Sequence, residues 1–137
     1  MIGQPRSAYQ SLALTLLRMM TGFLFIPHGA QKLFGLFGGF GGHPGETAPL
    51  FSLLGLAGTL EFFGGLAILL GLFTRPVAFI LSGLMAVAYF TAHAPKGFLP
   101  LLNRGELAAL YTFVFLFMAT AGGGSFSIDG LLHRRKR

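Results

Sequence analysis

Residues 48–73, APLFSLLGLAGTLEFFGGLAILLGLF, hold a single charged residue, Glu61, in an otherwise apolar run. A hydrocarbon core about 30 Å thick needs roughly 20 helical residues to cross, and this run is long enough. Working outward, three more segments read the same way: residues 8–36, 77–94 and 102–121, the last two nearer the lower length limit. The connections carry turn chemistry. GGFGGHPGETAP, residues 38–49, is a glycine-rich loop. Thr74-Arg75-Pro76 marks a tight hairpin, the segment from Pro95 to Pro100 closes the third span, and Gly122-Gly123-Gly124 ends the fourth. No period-2 alternation of the kind a membrane barrel needs is present. The expected fold is therefore an all-α membrane protein, a four-transmembrane-helix antiparallel bundle forming one domain over residues 1–137.

Composition agrees. Of 137 residues 53% are hydrophobic and 10% charged, with a mean hydropathy of +0.71, whereas a soluble domain carries about a quarter charged residues. Cysteine is absent, which excludes disulfides and thiolate metal sites, so a redox role would need a borrowed cofactor. The net charge of +6 does not point to nucleic acid. Four of the ten basic residues are Arg134, Arg135, Lys136 and Arg137, and the others are scattered singly between apolar runs. Counted near span ends, Arg6, Arg75 and the tail face one side and Lys32, Lys96 and Arg104 the other, six against three. By the positive-inside rule both termini are expected to be cytoplasmic. A signal peptide is disfavoured, since Arg18 interrupts the first run and no small-residue cleavage site follows it. Residues 125–132 are too short to span and are expected at the interface, where HRRKR would meet anionic lipid heads; a plain stop-transfer tail explains them equally well.

Ionisable groups in hydrocarbon face the bundle interior and find partners. Arg18 lies about ten residues into the first span and Glu61 about twelve from the cytoplasmic end of the second, roughly 15 and 18 Å deep, so the two are expected to form a buried charge pair. Arg18, Gly22, Phe25, Gly29 and Lys32 make one stripe at helical spacing, and Gly58, Glu61, Gly65, Ile68 and Leu72 make a matching one. Glycines at such positions let backbones approach closely. A second group gathers toward the opposite leaflet: His28 and Lys32 at i, i+4, His93 at the end of the third span, and Glu106 at the start of the fourth, with Arg104 beside it. His28, Lys32, His93 and Glu106 are expected to line a pocket that could hydrogen-bond a quinone carbonyl and pass its protons. The plainer alternatives are an ion pair that sets helix register and interfacial anchors that snorkel. No spacing supports a metal site, and two histidines are few for a haem.

The run His28-Gly29-Ala30-Gln31-Lys32-Leu33-Phe34-Gly35 resembles the HGxxKLFG signature of the DoxX family of small four-helix membrane proteins. Further similar pieces follow in order: Glu61 within GTLEFFGGLAILLGL, Gly71-Leu72-Phe73-Thr74-Arg75, Gly105-Glu106-Leu107-Ala108, and Ser127-Ile128-Asp129. The resemblance runs from about Leu17 to Leu132. It implies a four-helix bundle in the inner (plasma) membrane, places the family's polar positions on His28, Lys32, Glu61, Arg75 and Glu106, and implies an oxidoreductase or a quinone-linked subunit of a membrane redox complex. The family takes its name from a subunit of thiosulfate:quinone oxidoreductase, and the oxidoreductase label travels among its members by similarity.

Three functions stay open on the sequence. One is a quinone-linked oxidoreductase subunit that takes electrons from a soluble or membrane redox partner. The second is a non-enzymatic membrane scaffold subunit, and the third a small transporter-like protein. Four short spans without a repeat are few for a transporter unless the chain forms an oligomer.

Overall fold

A computed structural model describes residues 5–136, and among these the fold is entirely helical. Helix α1, Ala8–Phe34, starts in a capping box: the Ser7 hydroxyl accepts from the Gln10 amide, and the Gln10 side chain accepts from the Ser7 amide. It stops at Gly35, which takes the left-handed conformation with φ 65°. The glycine-rich segment after it is a loop with a 3₁₀ turn, Phe40–Gly42. The loop is tied back to α1 by the Ala48 amide on the Lys32 carbonyl at 2.7 Å. Helix α2, Leu53–Leu70, is capped by Ser52 and closed by Gly71 at φ 70°. Helix α3, Thr74–Ala88, runs on through a π turn, Tyr89–His93, and a 3₁₀ turn, Ala94–Lys96. Short α4, Pro100–Asn103, precedes α5, Glu106–Ala121, and α6, Ile128–Arg135, closes the chain. Arg137, the last residue of the basic tail, lies outside the described residues.

Three helical stretches are long and apolar enough to cross a membrane: Ala8–Phe34, Leu53–Leu70 and Thr74–Lys96. The expected fourth span, 102–121, is broken. Arg104 adopts φ 58°, which ends α4, and α5 keeps 16 residues, about 24 Å of helix. The hairpin expected at Thr74-Arg75-Pro76 also lies earlier, at Gly71–Phe73. The Asp129 carboxylate, from α6, accepts the amides of Phe73 and Thr74 at 2.8 Å each and so caps α3 at its very start. A cap lent from 55 residues away leaves no local sign.

Helices α1 and α2 pack closely and antiparallel along the two glycine stripes. A Cβ built on Gly22 would lie 2.6 Å from the Leu69 nitrogen, and one on Gly29 would collide with the Phe62 nitrogen. Only glycine fits at these two crossings. Helices α3 and α5 form the second close pair. The core joins both pairs through Phe25, Ile68, Leu81, Met85, Phe115 and Met118, with the Phe25 ring edge-on to Tyr111 and Phe115 at 5.1 and 5.0 Å.

The outer surface is as apolar as the core. Leu16, Phe23, Phe63, Phe79, Leu110 and Phe113 are all exposed, which suits lipid and not water. Five helix hydroxyls are satisfied internally, as suits a bilayer: Thr15, Thr21, Thr59, Thr91 and Thr112 each donate to the carbonyl four residues back, whereas the Thr74 hydroxyl at the start of α3 is buried without a partner among the described residues.

Candidate functional site

The buried charges do not pair as their depths suggested. Arg18 is 2% exposed, and its guanidinium donates to four backbone carbonyls instead of to Glu61. Nε reaches Gly123 at 3.2 Å, Nη1 reaches Ile68 at 2.7 Å and also Leu69, and Nη2 reaches Phe126 at 2.8 Å. Ile68 and Leu69 lie in the last turn of α2, whose carbonyls carry the negative end of the helix dipole; the Ile68 carbonyl also accepts the Gly71 amide at 3.1 Å. The expected Arg18–Glu61 pair is therefore corrected by a register effect. Equal depth would require the two helix ends to be level, but the glycine crossings slide α1 so that Arg18 stands at the very end of α2. Glu61 then lies about 10 Å further along the axis.

Glu61 pairs with Lys32. Nζ and Oε2 are 2.7 Å apart, and the side chains are 19% and 6% exposed. Gly58 makes the crossing possible, because a Cβ there would lie 2.8 Å from the Lys32 Cβ. Lys32 Nζ also donates to the His28 carbonyl at 3.4 Å.

This ion pair forms part of the wall of a cavity of about 390 Å³ between α1, α2, α3 and α5. His28, Lys32, Glu61, His93 and Arg104 supply its polar lining, and Phe25, Leu84, Met85 and Tyr111 are among its apolar walls. Three of the four expected pocket residues, His28, Lys32 and His93, thus meet. Glu106 does not join them: it is exposed at the first position of α5 and outside the lining, where a carboxylate complements the helix N-terminus. The carboxylate in the cavity is Glu61.

The π turn shapes the far wall. Its extra residue per turn shifts the end of α3 relative to an ideal helix, a device common at functional sites. The His93 ring lies 3.1 Å by Nδ1 from the Asn103 carbonyl. A carbonyl can only accept, so Nδ1 carries a hydrogen and Nε2 of the neutral ring is an acceptor. Asn103 itself is fully buried. Its amide donates to the Gly97 carbonyl at 2.8 Å and to the Tyr89 hydroxyl at 3.3 Å, while Oδ1 accepts the Gly105 amide at 2.8 Å. Sequence reasoning missed Asn103, although an Asn before Arg-Gly is a turn signal. It also missed Tyr111, which the 3, 4, 3 spacing of Ala108, Tyr111, Phe115 and Met118 places on one buried face.

The arrangement offers a cationic donor, two imidazoles and a carboxylate at the edge of an apolar chamber. It can hydrogen-bond the polar end of an otherwise apolar molecule and exchange protons with it.

Comparison with known proteins points one way. The DoxX family model matches residues 13–94. An uncharacterized protein of Haemophilus influenzae is 39% identical over 130 residues, covering 93% of this chain and 96% of that protein. The inner membrane protein YqjF of Escherichia coli is 33% identical over 120 residues, covering 86% and 90% respectively. No solved structure matches the chain.

Proposed function

The chain belongs to the DoxX family of membrane proteins, and from that premise we propose that it is a four-span protein of the inner membrane that binds a quinone-like molecule as part of a redox complex. In this reading α5 is the fourth span and both termini are cytoplasmic. The observation that carries it is the Lys32–Glu61 ion pair set in the wall of an apolar chamber with His28 and His93. A quinone has carbonyl acceptors on a flat apolar ring. Lys32 and His28 are donors for the carbonyls, the free Nε2 of His93 is an acceptor for the hydroxyl of the reduced form, and Phe25, Met85 and Tyr111 are surfaces for the ring. Reduction to the quinol takes two electrons and two protons. A reduced partner subunit supplies the electrons, and His28, His93 and Glu61 are placed to relay the protons.

The test is equilibrium binding of a short-chain benzoquinone to the purified protein in mild detergent. The parent protein is expected to bind, and His28→Ala to weaken binding by roughly tenfold while leaving the thermal midpoint unchanged, since one hydrogen bond to a ligand is worth about 1 to 3 kcal/mol. A folded parent protein with no affinity for the quinone overturns the reading. The scaffold alternative would then stand, supported by the four backbone carbonyls that hold Arg18, which is how a purely structural charge is held.

A further inference from the structure

At the end of the molecule that carries α6, two concavities share a wall. One, of about 380 Å³, is polar and lined by Arg6, Ser11, Gly124, Ser125, Gly130 and Arg134. The other, of about 300 Å³, is a groove of mainly apolar side chains, Leu70, Phe126, Ile128 and Leu131, with Arg134 again at its edge. Arg134 therefore stands between a cationic pocket and an apolar groove.

Among the described residues, no carboxylate forms a salt bridge with Arg6 or Arg134. Arg6 donates to the Ala121 carbonyl at 2.8 Å, a bond that holds the guanidinium at the pocket without neutralising it. Asp129 is the only aspartate or glutamate in the sequence after Glu106, and its carboxylate accepts the amides of Phe73 and Thr74 and pairs with neither Arg6 nor Arg134. Arg135 is the last residue of α6 and Lys136 caps it. Phe126 and Leu131 are 65% and 61% exposed, so the groove opens onto the same apolar surface that faces lipid. A ligand complementary to both concavities carries a negative head and a hydrocarbon chain.

We propose that this end of the bundle is a binding seat for one anionic phospholipid, its phosphate between Arg6 and Arg134 and an acyl chain in the groove of Leu70, Ile128 and Leu131. The seat is independent of the quinone reading. It differs from general attraction of a basic tail to a charged membrane, because Arg134 lines the seat and Arg135 does not. A zwitterionic lipid brings its own cation toward this cluster and fits less well.

Native mass spectrometry of the full chain in detergent, titrated with phosphatidylglycerol or phosphatidylcholine, tests the proposal. One phosphatidylglycerol is expected to be retained in preference to phosphatidylcholine. Arg134→Gln should weaken its retention about tenfold, the loss of a charge-assisted contact, and Arg135→Gln should change it little. Arg6→Gln gives a second reading from the other side of the pocket. Equal weakening by Arg134→Gln and Arg135→Gln would reduce the seat to diffuse attraction and overturn it. Equal retention of both lipids, competition by millimolar inorganic phosphate, or a dimer formed in place of the lipid adduct would overturn it as well.

Discussion

The two ends of the α1–α2 pair each bury charge, and they do so in opposite ways. Arg18 sits in a tight socket of backbone carbonyls with four hydrogen bonds, and among the described residues no carboxylate forms a salt bridge with it. Lys32 and Glu61 neutralise each other beside a chamber of about 390 Å³. A guanidinium with four of its five N–H donors held by carbonyls has little left to offer a ligand, so it acts as a clamp between the end of α2 and the loop after α5. An ion pair at the edge of a cavity keeps unused lone pairs and hydrogens, and a ligand can reach them. Burial alone does not separate a structural charge from a functional one. Saturation and adjoining space do.

The largest effect should come from the clamp. Arg18→Met removes the guanidinium from the Leu69 carbonyl at the end of α2 and from two loop carbonyls, and leaves Ile68 with the Gly71 amide alone, at a cost of about 3 kcal/mol, read as a fall in the thermal midpoint in detergent. Combined with Glu61→Gln it should be additive within about 0.5 kcal/mol, because the two residues do not touch. Recovery in the double variant would mean that they interact after all and would collapse the contrast between the two ends.

A cycle at the other end comes next. Lys32→Met and Glu61→Gln should each destabilise by about 3 kcal/mol or somewhat less, since each leaves a charge in the cavity wall without its partner. The double variant should recover much of the loss and still fail to bind the benzoquinone. Additive losses would show that the ion pair contributes nothing to the fold.

The smallest effect is expected at Asp129. Its carboxylate caps α3 close to the Arg18 socket, so Asp129→Ala should cost about 1 kcal/mol and leave quinone binding unchanged. A loss of binding would mean that the two ends are coupled.

Particular residues show how far reading the chain goes. The His28–Lys32 spacing, the glycine stripes and the inward placement of Glu61 depend on helical period alone, and all are present in the structure. The partner of Arg18 was not legible, because its bonds go to backbone atoms of α2 and of the 123–126 loop, which every residue possesses and no side-chain pattern advertises. Glu106 reads as a pocket residue from its place near a span end. Its exposure follows from the turn at Asn103–Gly105, whose geometry rests on contacts from Tyr89 and Gly97.

That the chain is helical, membrane-embedded and of DoxX type follows from its residues alone, because hydropathy, helical period and short motifs are local properties. Tertiary structure alone decided the register of α1 on α2, and with it which buried charges meet. That register depends on which glycine of one helix lies against which backbone turn of the other. Several glycines at similar spacing allow more than one sliding position, and only the packed bundle selects among them.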